Sequence, residues 1–501
     1  MVLCGSRSNV DKTMLSHLLK PSFYLTSMAL LAGFLSLPAV AQSQLPSLGD
    51  RISGTVSLDD EYQMGQQFLS QIRRSAPTIP DALLNDYLEN VTYKVASRSQ
   101  LKDHRLSFVV IDSEDLNAFA APGGIIGVNT GLFLNAQTEA EFVSVMAHEI
   151  AHVSQRHFAR TVDEAQAGSI PQLATMMASI LIMATSDAGH GQAAIAAAQG
   201  RAVENQLRFS RNNEAEADRV GQDTMFAAGF NPNGMSELFE RLVAINRFGR
   251  RPPEFLLTHP VTESRVADAR GRAVRYPLRN YEDNLEYQVV RSRVLGHYAN
   301  DKEAYVSQSK DKLHQSLLKF DRDAARYNLA VAYYENEEYN LANNTLAPLL
   351  EKDPNRISYV ATQAEFYTAQ NEPGQAIQFL QRHMEINPNN HPLIMAYIDA
   401  LIGIRAFSQA AEAMLKHALL RPEDHNLWFK LADTQGQAGN ISAVHQSRAE
   451  FFRLIGDYRS SREQLQFAVR IETEKGSAPA ELARLKQKIR DVEKLQRDLS
   501  G

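Results

Sequence analysis

Only one cysteine, Cys4, stands among the 501 residues. A disulfide framework is thereby excluded, and so is a cysteine-rich metal site. Positive charge is not in excess either. The formal net charge is −6 and the pI about 6.2. Such a chain lacks the clustered basic footprint that grips nucleic acid, so no nucleic-acid partner is expected. The longest apolar runs, Tyr24–Leu37 and Ile170–Ala184, fall short of the roughly 20 residues a membrane-spanning helix needs. What is present is ordinary globular composition, 44% hydrophobic and 22% charged. A disordered, collagen-like or polytopic membrane chain is excluded. The length leaves room for about three domains.

Arg7, Lys12 and Lys20 precede the Tyr24–Leu37 run, Pro38 interrupts it, and Ala39-Val40-Ala41 follows as a small-x-small cleavage triplet. Residues 1–41 are expected to be a secretory signal peptide, with a single membrane anchor as the alternative. Cys4 lies before the apolar run, not after it, so it is no lipid acceptor. Cleavage would remove Cys4, three bases and Asp11, taking the net charge from −6 to −8.

Two grammars follow. Residues 42–282 mix patterns and read as α+β. Arg105–Asp112 is a β-branched strand, and Ile125–Asn129 is a second, set off by Gly123-Gly124 and Thr130-Gly131. Thr138 to about His157 reads as a helix opened by a Thr138–Glu141 capping box. From 283 strand signals vanish. Pro354, Pro388 and Pro422 are spaced 34 apart, as are Ala342, Ala376 and Ala410, and Leu346, Leu380 and Met414. Several residue classes in one phase resemble the tetratricopeptide repeat, an all-α solenoid of helix pairs. The expected division is 283–320 as a helical linker or degenerate repeat, 321–475 as repeats, and 476–501 as a capping helix. In this register Glu365, Asp399 and Asp433 fall on the concave face, as do Tyr327, Met395 and Phe429. An acidic protein-binding groove with apolar spots is expected there.

His148-Glu149-Ile150-Ala151-His152 carries the chemistry. On a helix, positions i and i+4 share a face, so His148 and His152 can reach one metal. Glu149 lies about 100° round, within reach of a water on that metal. Imidazole and carboxylate donors suit one Zn²⁺ per chain, which acidifies its water while Glu149 takes the proton. A zincin-like domain is expected, its H-E-x-x-H helix beside a small sheet. His157 is nine residues after His148; the metzincin third histidine comes at ten, where Phe158 stands, so His157 is expected behind a ligand or on the surface. Glu214 is the better third ligand. It sits in Asn213-Glu214-Ala215-Glu216-Ala217-Asp218, on an apparent helix Val203–Ala228, and shares a face with Asp218. Asp218 can accept the free N–H of a ligating histidine. Glu216 points elsewhere and is read as surface.

HEIAH followed by Glu-x-x-Ala-Asp resembles the M48 metallopeptidases. Asn117–Gly124, and Thr258-His259-Pro260 with Arg265, resemble the segments those enzymes carry around the site. The resemblance implies zinc on His148, His152 and Glu214, Glu149 as base, and His259 at the metal, able to displace the catalytic water. It leaves Arg265 to hold an acid or substrate. It also implies an edge strand that takes up extended substrate beside the H-E-x-x-H helix, here assigned to Gly123, Gly124, Ile125 and Ile126. Export and repeats together are similar to periplasmic members of the family. They imply a protease and chaperone-like factor for outer-membrane β-barrel proteins. Its partners would be misassembled clients and, through the repeats, the assembly machinery. The Met-rich run Ile170–Ala184 is left open between a core helix, a lid, and a surface touching substrate or membrane.

Overall fold

The computed structural model describes residues 56–164, 211–248, 252–281, 283–316 and 318–500. The signal-peptide segment, the 170–184 run and residues 203–210 of the apparent metal helix lie outside the described residues.

Helices α1 (Leu58–Ser75) and α2 (Ala82–Ala96) precede a three-stranded sheet of β1 (Ser107–Ile111), β2 (Ala118–Ala121) and β3 (Ile125–Asn129). The strand order is β1-β3-β2. β3 runs parallel to β1 and antiparallel to β2. This corrects the edge-strand expectation. β3 is central, its backbone is paired on both sides, and Ile125 and Ile126 are fully buried. The edge beside the HEIAH helix is β2. Its Ala-Phe-Ala-Ala composition is poor in strand formers, so periodicity does not find it. Gly123 and Gly124 turn β2 into β3 with φ of 78° and 76°. A Cβ on Gly123 would lie 2.7 Å from the Glu61 carbonyl oxygen, and one on Gly124 2.5 Å from that of Arg105. Both glycines serve close packing within the fold.

After α3 (Gly131–Asn135), α4 (Glu139–Ser154) carries the motif. Its Thr138 hydroxyl accepts the Glu141 N–H as expected. Glu141 reaches the Gln137 N–H in place of Thr138's own and is also held by Arg241. Phe142, Val143, Met146 and Ile150 sink α4 into the main core. Arg156, at φ 51°, breaks the helix, and α5 (His157–Glu164) starts at once. The chain resumes in α6 (Arg211–Ala227), α7 (Asn233–Phe248), α8 (Glu254–Thr258) and α9 (Glu263–Ala273). Gly221 lets α6 pass close to α4: a Cβ there would lie 3.0 Å from the Ala147 carbonyl oxygen.

The remainder is helical: α10 (Leu285–His297), α11 (Lys302–Gln315), then the pairs α12 (Lys319–Glu335) with α13 (Tyr339–Lys352), α14 (Ile357–Ala369) with α15 (Pro373–Ile386), α16 (His391–Gly403) with α17 (Phe407–Leu420), α18 (His425–Gln437) with α19 (Ile441–Leu454), and α20 (Tyr458–Glu474) with α21 (Pro479–Ser500). The periodic residues are the packed ones. Ala342, Ala376, Ala410, Leu346, Leu380 and Met414 are fully buried between helices. The turns inside the first four pairs are closed by left-handed residues, Glu337, Asn371, Arg405 and Gly439, again 34 apart, and Gly476 closes the fifth. The carboxyl half is thus a tetratricopeptide-type solenoid.

The 282/283 division does not coincide with a break in packing. α10 gives Tyr287, Val290 and Val294 to the amino-terminal core and Val289 to the repeat core. Tyr287 stacks on Phe133 and donates to the Ala136 carbonyl. The groove expectation also changes. Leu83 of α2 packs with Val360, Ala361 and Ala364 of α14. Glu365 is bound by both terminal nitrogens of Arg293, which also holds Asp81. Asp399 is paired with Lys430, while Tyr327 is buried on Thr362. Asp433 and Phe429 remain exposed. The first helices of two repeats, α14 and α16, therefore face α2, and two of the three expected acids, Glu365 and Asp399, are neutralised from within.

Candidate metal centre

α4 aims His148 and His152 inward, and α6 faces them with Glu214 and Asp218, one helical turn apart. α8 ends at His259, whose N–H bonds back to the Phe255 carbonyl and whose ring packs on Phe255. The His148, His152, Glu214 and His259 donor atoms all lie within 4.8 Å of one another, and all four residues are buried. His148 Nε2 is 3.0 Å from His152 Nε2, 3.3 Å from His259 Nδ1 and 3.6 Å from Glu214 Oε2. Glu214 Oε1 is 3.5 Å from His152 Nε2 and 3.0 Å from His259 Nδ1. Ligands about 2.0–2.1 Å from a tetrahedral zinc are separated by roughly 3.3 Å, so these edges suit that ion.

Electrostatics point the same way. Glu149, Glu214 and Asp218 are buried with one guanidinium, Arg265, among them. Ionised carboxylates would leave a formal excess of two negative charges, which a dication matches. Burial pushes Glu149 up to about 8 against the pull of His148. A bound dication would oppose that rise. Burial, with His148 and His259 next to it, drives His152 well below the usual histidine range, keeping the neutral imidazole that metals require. Burial would raise Glu214 too, but His259, His148 and Arg265 outweigh it and hold the carboxyl below its ordinary range.

Glu149 Oε2 accepts the Ala120 N–H of β2 at 2.8 Å, which leaves Oε1 buried without a hydrogen-bond donor, 3.5 Å from His259 Nε2. His148 Nδ1 meets Asp218 Oδ1 at 3.0 Å. Arg265 closes the arrangement. Its Nε and Nη2 donate to the two oxygens of Asp218, each at 2.7 Å. Nη1 donates to the Pro260 carbonyl at 2.8 Å and lies 2.9 Å from Glu214 Oε2. The guanidinium holds Glu214 and Asp218 of α6 and the residue after His259.

His157 and Glu216 lie in the same region. His157 is fully buried and bonded to His152, and Glu216 bonds to His157 and Arg160. Glu216 is thus a partner of the site and not a free surface acid, a correction that its position two residues from Glu214 does not signal. The sequence assigns Ala120 no role of its own, although it lies within the Asn117–Gly124 segment that the resemblance places around the site.

Three imidazoles and a carboxylate closing on one point, with a further glutamate alongside, are the equipment of a zinc metallopeptidase. The model of peptidase family M48 matches residues 82–273. Beta-barrel assembly-enhancing proteases of Yersinia pestis and Escherichia coli (strain K12) are each 32% identical to this chain. The alignments cover 83% and 84% of it and 85% and 86% of those proteins. Mitochondrial metalloendopeptidase OMA1 of Schizosaccharomyces pombe is 29% identical over 44% of this chain and 64% of its own. The chain belongs to peptidase family M48, alongside the beta-barrel assembly-enhancing proteases, and is a zinc metalloendopeptidase with a carboxyl-terminal repeat domain.

Proposed function

We propose that His148, His152 and Glu214 hold the zinc, that His259 fills its fourth position at rest, and that Glu149 is the general base. The observation that carries this is the joint geometry of Glu149: one oxygen anchored on Ala120, the other buried, undonated and 3.5 Å from Nε2 of His259, whose Nδ1 belongs to the four-donor cluster. Zinc supplies Lewis acidity that polarises a carbonyl and brings water into the reach of a carboxylate base. Glu149 takes the proton at Oε1 and passes it to the leaving amine, while Oε2 stays on the Ala120 N–H and keeps the carboxylate from turning. Asp218 fixes the His148 ring by accepting Nδ1–H. Arg265 holds Asp218 and Glu214 in place and ties them to the His259 loop.

The substrates we infer are unfolded or misassembled outer-membrane proteins in the periplasm, with the repeats docking on other envelope proteins. The relatives' names, the repeat solenoid and the amino-terminal leader pattern support this. The second reading, an assembly factor whose protease is latent, is favoured by one contact: His259 Nδ1 already sits within the donor set. No helix among the described residues is long and apolar enough to cross a membrane.

Casein hydrolysis by Glu149→Gln tests the mechanism. Zinc content and fold should persist while proteolysis is lost, since only the base is removed. Hydrolysis at the wild-type rate would end the zinc-hydrolase account.

A further inference from the structure

Among the described residues the carboxylate Asp218 stands behind His148, and a different group stands behind His152. The His152 Nδ1 faces His157 Nδ1 at 2.8 Å, the rings edge to face at 79°. His157 Nε2 lies 3.2 Å from Glu216 Oε2, and Arg160 Nη1 holds that same oxygen at 2.7 Å. The protons along this row follow from the chemistry. A neutral imidazole that offers Nε2 to a metal carries its hydrogen on Nδ1. His152 Nδ1–H must donate, so His157 Nδ1 must accept. The one hydrogen of neutral His157 then sits on Nε2 and points at Glu216.

From this we infer that His157, backed by Glu216 and Arg160, is the positioning residue of the second zinc histidine: a histidine-relayed carboxylate that fixes the tautomer of His152 and strengthens it as a donor. The backbone is shaped for it. Arg156 is buried in a left-handed conformation, a costly one for a residue with a side chain. It is held by its Nη2 on the Val56 carbonyl at 2.6 Å and by Glu61. That reversal, two residues after α4 ends at Ser154, brings His157 back against His152. α6 thereby serves the centre three times, through Glu214, Asp218 and, by way of His157, Glu216.

The inference rests on His152 being a ligand, and the test separates the two. Zinc affinity is measured by chelator competition on the full chain, together with the visible spectrum of the cobalt-substituted protein. His152→Ala should abolish binding; if it does not, the ligand assignment fails and the relay with it. His157→Leu should weaken zinc by about 10–100-fold, the usual cost of losing a partner behind a ligand. His157→Asn places an oxygen near the Nδ1 position and should recover much of that loss while still missing Glu216. Glu216→Gln, at a part-exposed site that will fold, should weaken zinc by about threefold or more through loss of the charge alone. The cobalt bands should shift in His157→Leu and return toward wild type in His157→Asn. Unchanged affinity in His157→Leu and Glu216→Gln would overturn the relay. So would His157→Asn binding as weakly as His157→Leu with unaltered melting of the metal-free protein, which would mark His157 as packing only.

Discussion

Replacing Arg265 by Met removes one positive charge from a pocket that holds three carboxylates. Four polar contacts go with it: two to Asp218 at 2.7 Å, one to the Pro260 carbonyl at 2.8 Å, and the 2.9 Å ion pair with Glu214. Asp218 and Glu214 are almost fully buried, so water cannot substitute for the guanidinium. Breaking a buried pair from one side costs about 3–5 kcal/mol. The metal-free protein should meet that cost in full, because with the Glu149 carboxyl pushed up to about 8 and so protonated near neutral pH the pocket goes from a formal −1 to −2. With zinc bound the same change is from neutral to −1, so the loss should be smaller. The melting temperature should therefore fall on chelation by more in Arg265→Met than in wild type. Arg265→Lys should lie between them, since a single ammonium cannot fork onto Asp218 and still reach Pro260. Differential scanning calorimetry with and without zinc reads all three proteins. A metal-free Arg265→Met within about 1 kcal/mol of wild type would refute the argument, because it would mean the acids are not charged and buried together.

His259→Ala should keep zinc yet hydrolyse casein, and itself, faster than wild type, because the fourth position opens; if His259 instead steadies the developing oxyanion, its loss should lower the rate by roughly 10²–10³. The repeats carry a pH dependence of their own. His391 and His417 meet Nδ1 to Nε2 at 2.8 Å, and burial beside Arg421 pushes them from 6.5 down to about 3 and about 4. The unfolded chain binds more protons below about pH 6.5, so this stability is complete above that value and falls as the pH drops, by up to about 1.4 kcal/mol per unit for each histidine. Urea titrations between pH 7 and 5 should show that fall flattened in His391→Leu, His417→Leu; an unchanged slope would remove the pair from the explanation.

Local spacing made the chemistry legible in the sequence. HEIAH and the Glu214–Asp218 pair each lie within five residues, and helical geometry alone puts them on one face. The 34-residue phase was legible for a similar reason: the packed residues of each helix pair recur at the same place. What stayed hidden depends on contacts between distant segments. β2 is an edge and β3 is central only because β1 comes in parallel on the far side. His157 sits one place short of a known spacing, and only the left-handed turn at Arg156 makes it a partner of His152. Glu216 leaves the Glu214 face of its helix and so reads as surface, but α5 packs alongside and brings His157 and Arg160 to it. The neutralised groove has the same origin, since Arg293 comes from outside the periodic repeats.

Zinc K-edge absorption on the purified protein, beside His259→Ala, tests the closed four-donor centre most directly. The arrangement of His148, His152, His259 and Glu214 predicts four-coordinate zinc with three imidazoles and one carboxylate in the wild type, and one imidazole fewer, replaced by oxygen, in the variant. Two imidazoles in the resting enzyme, or identical spectra for the two proteins, would contradict it.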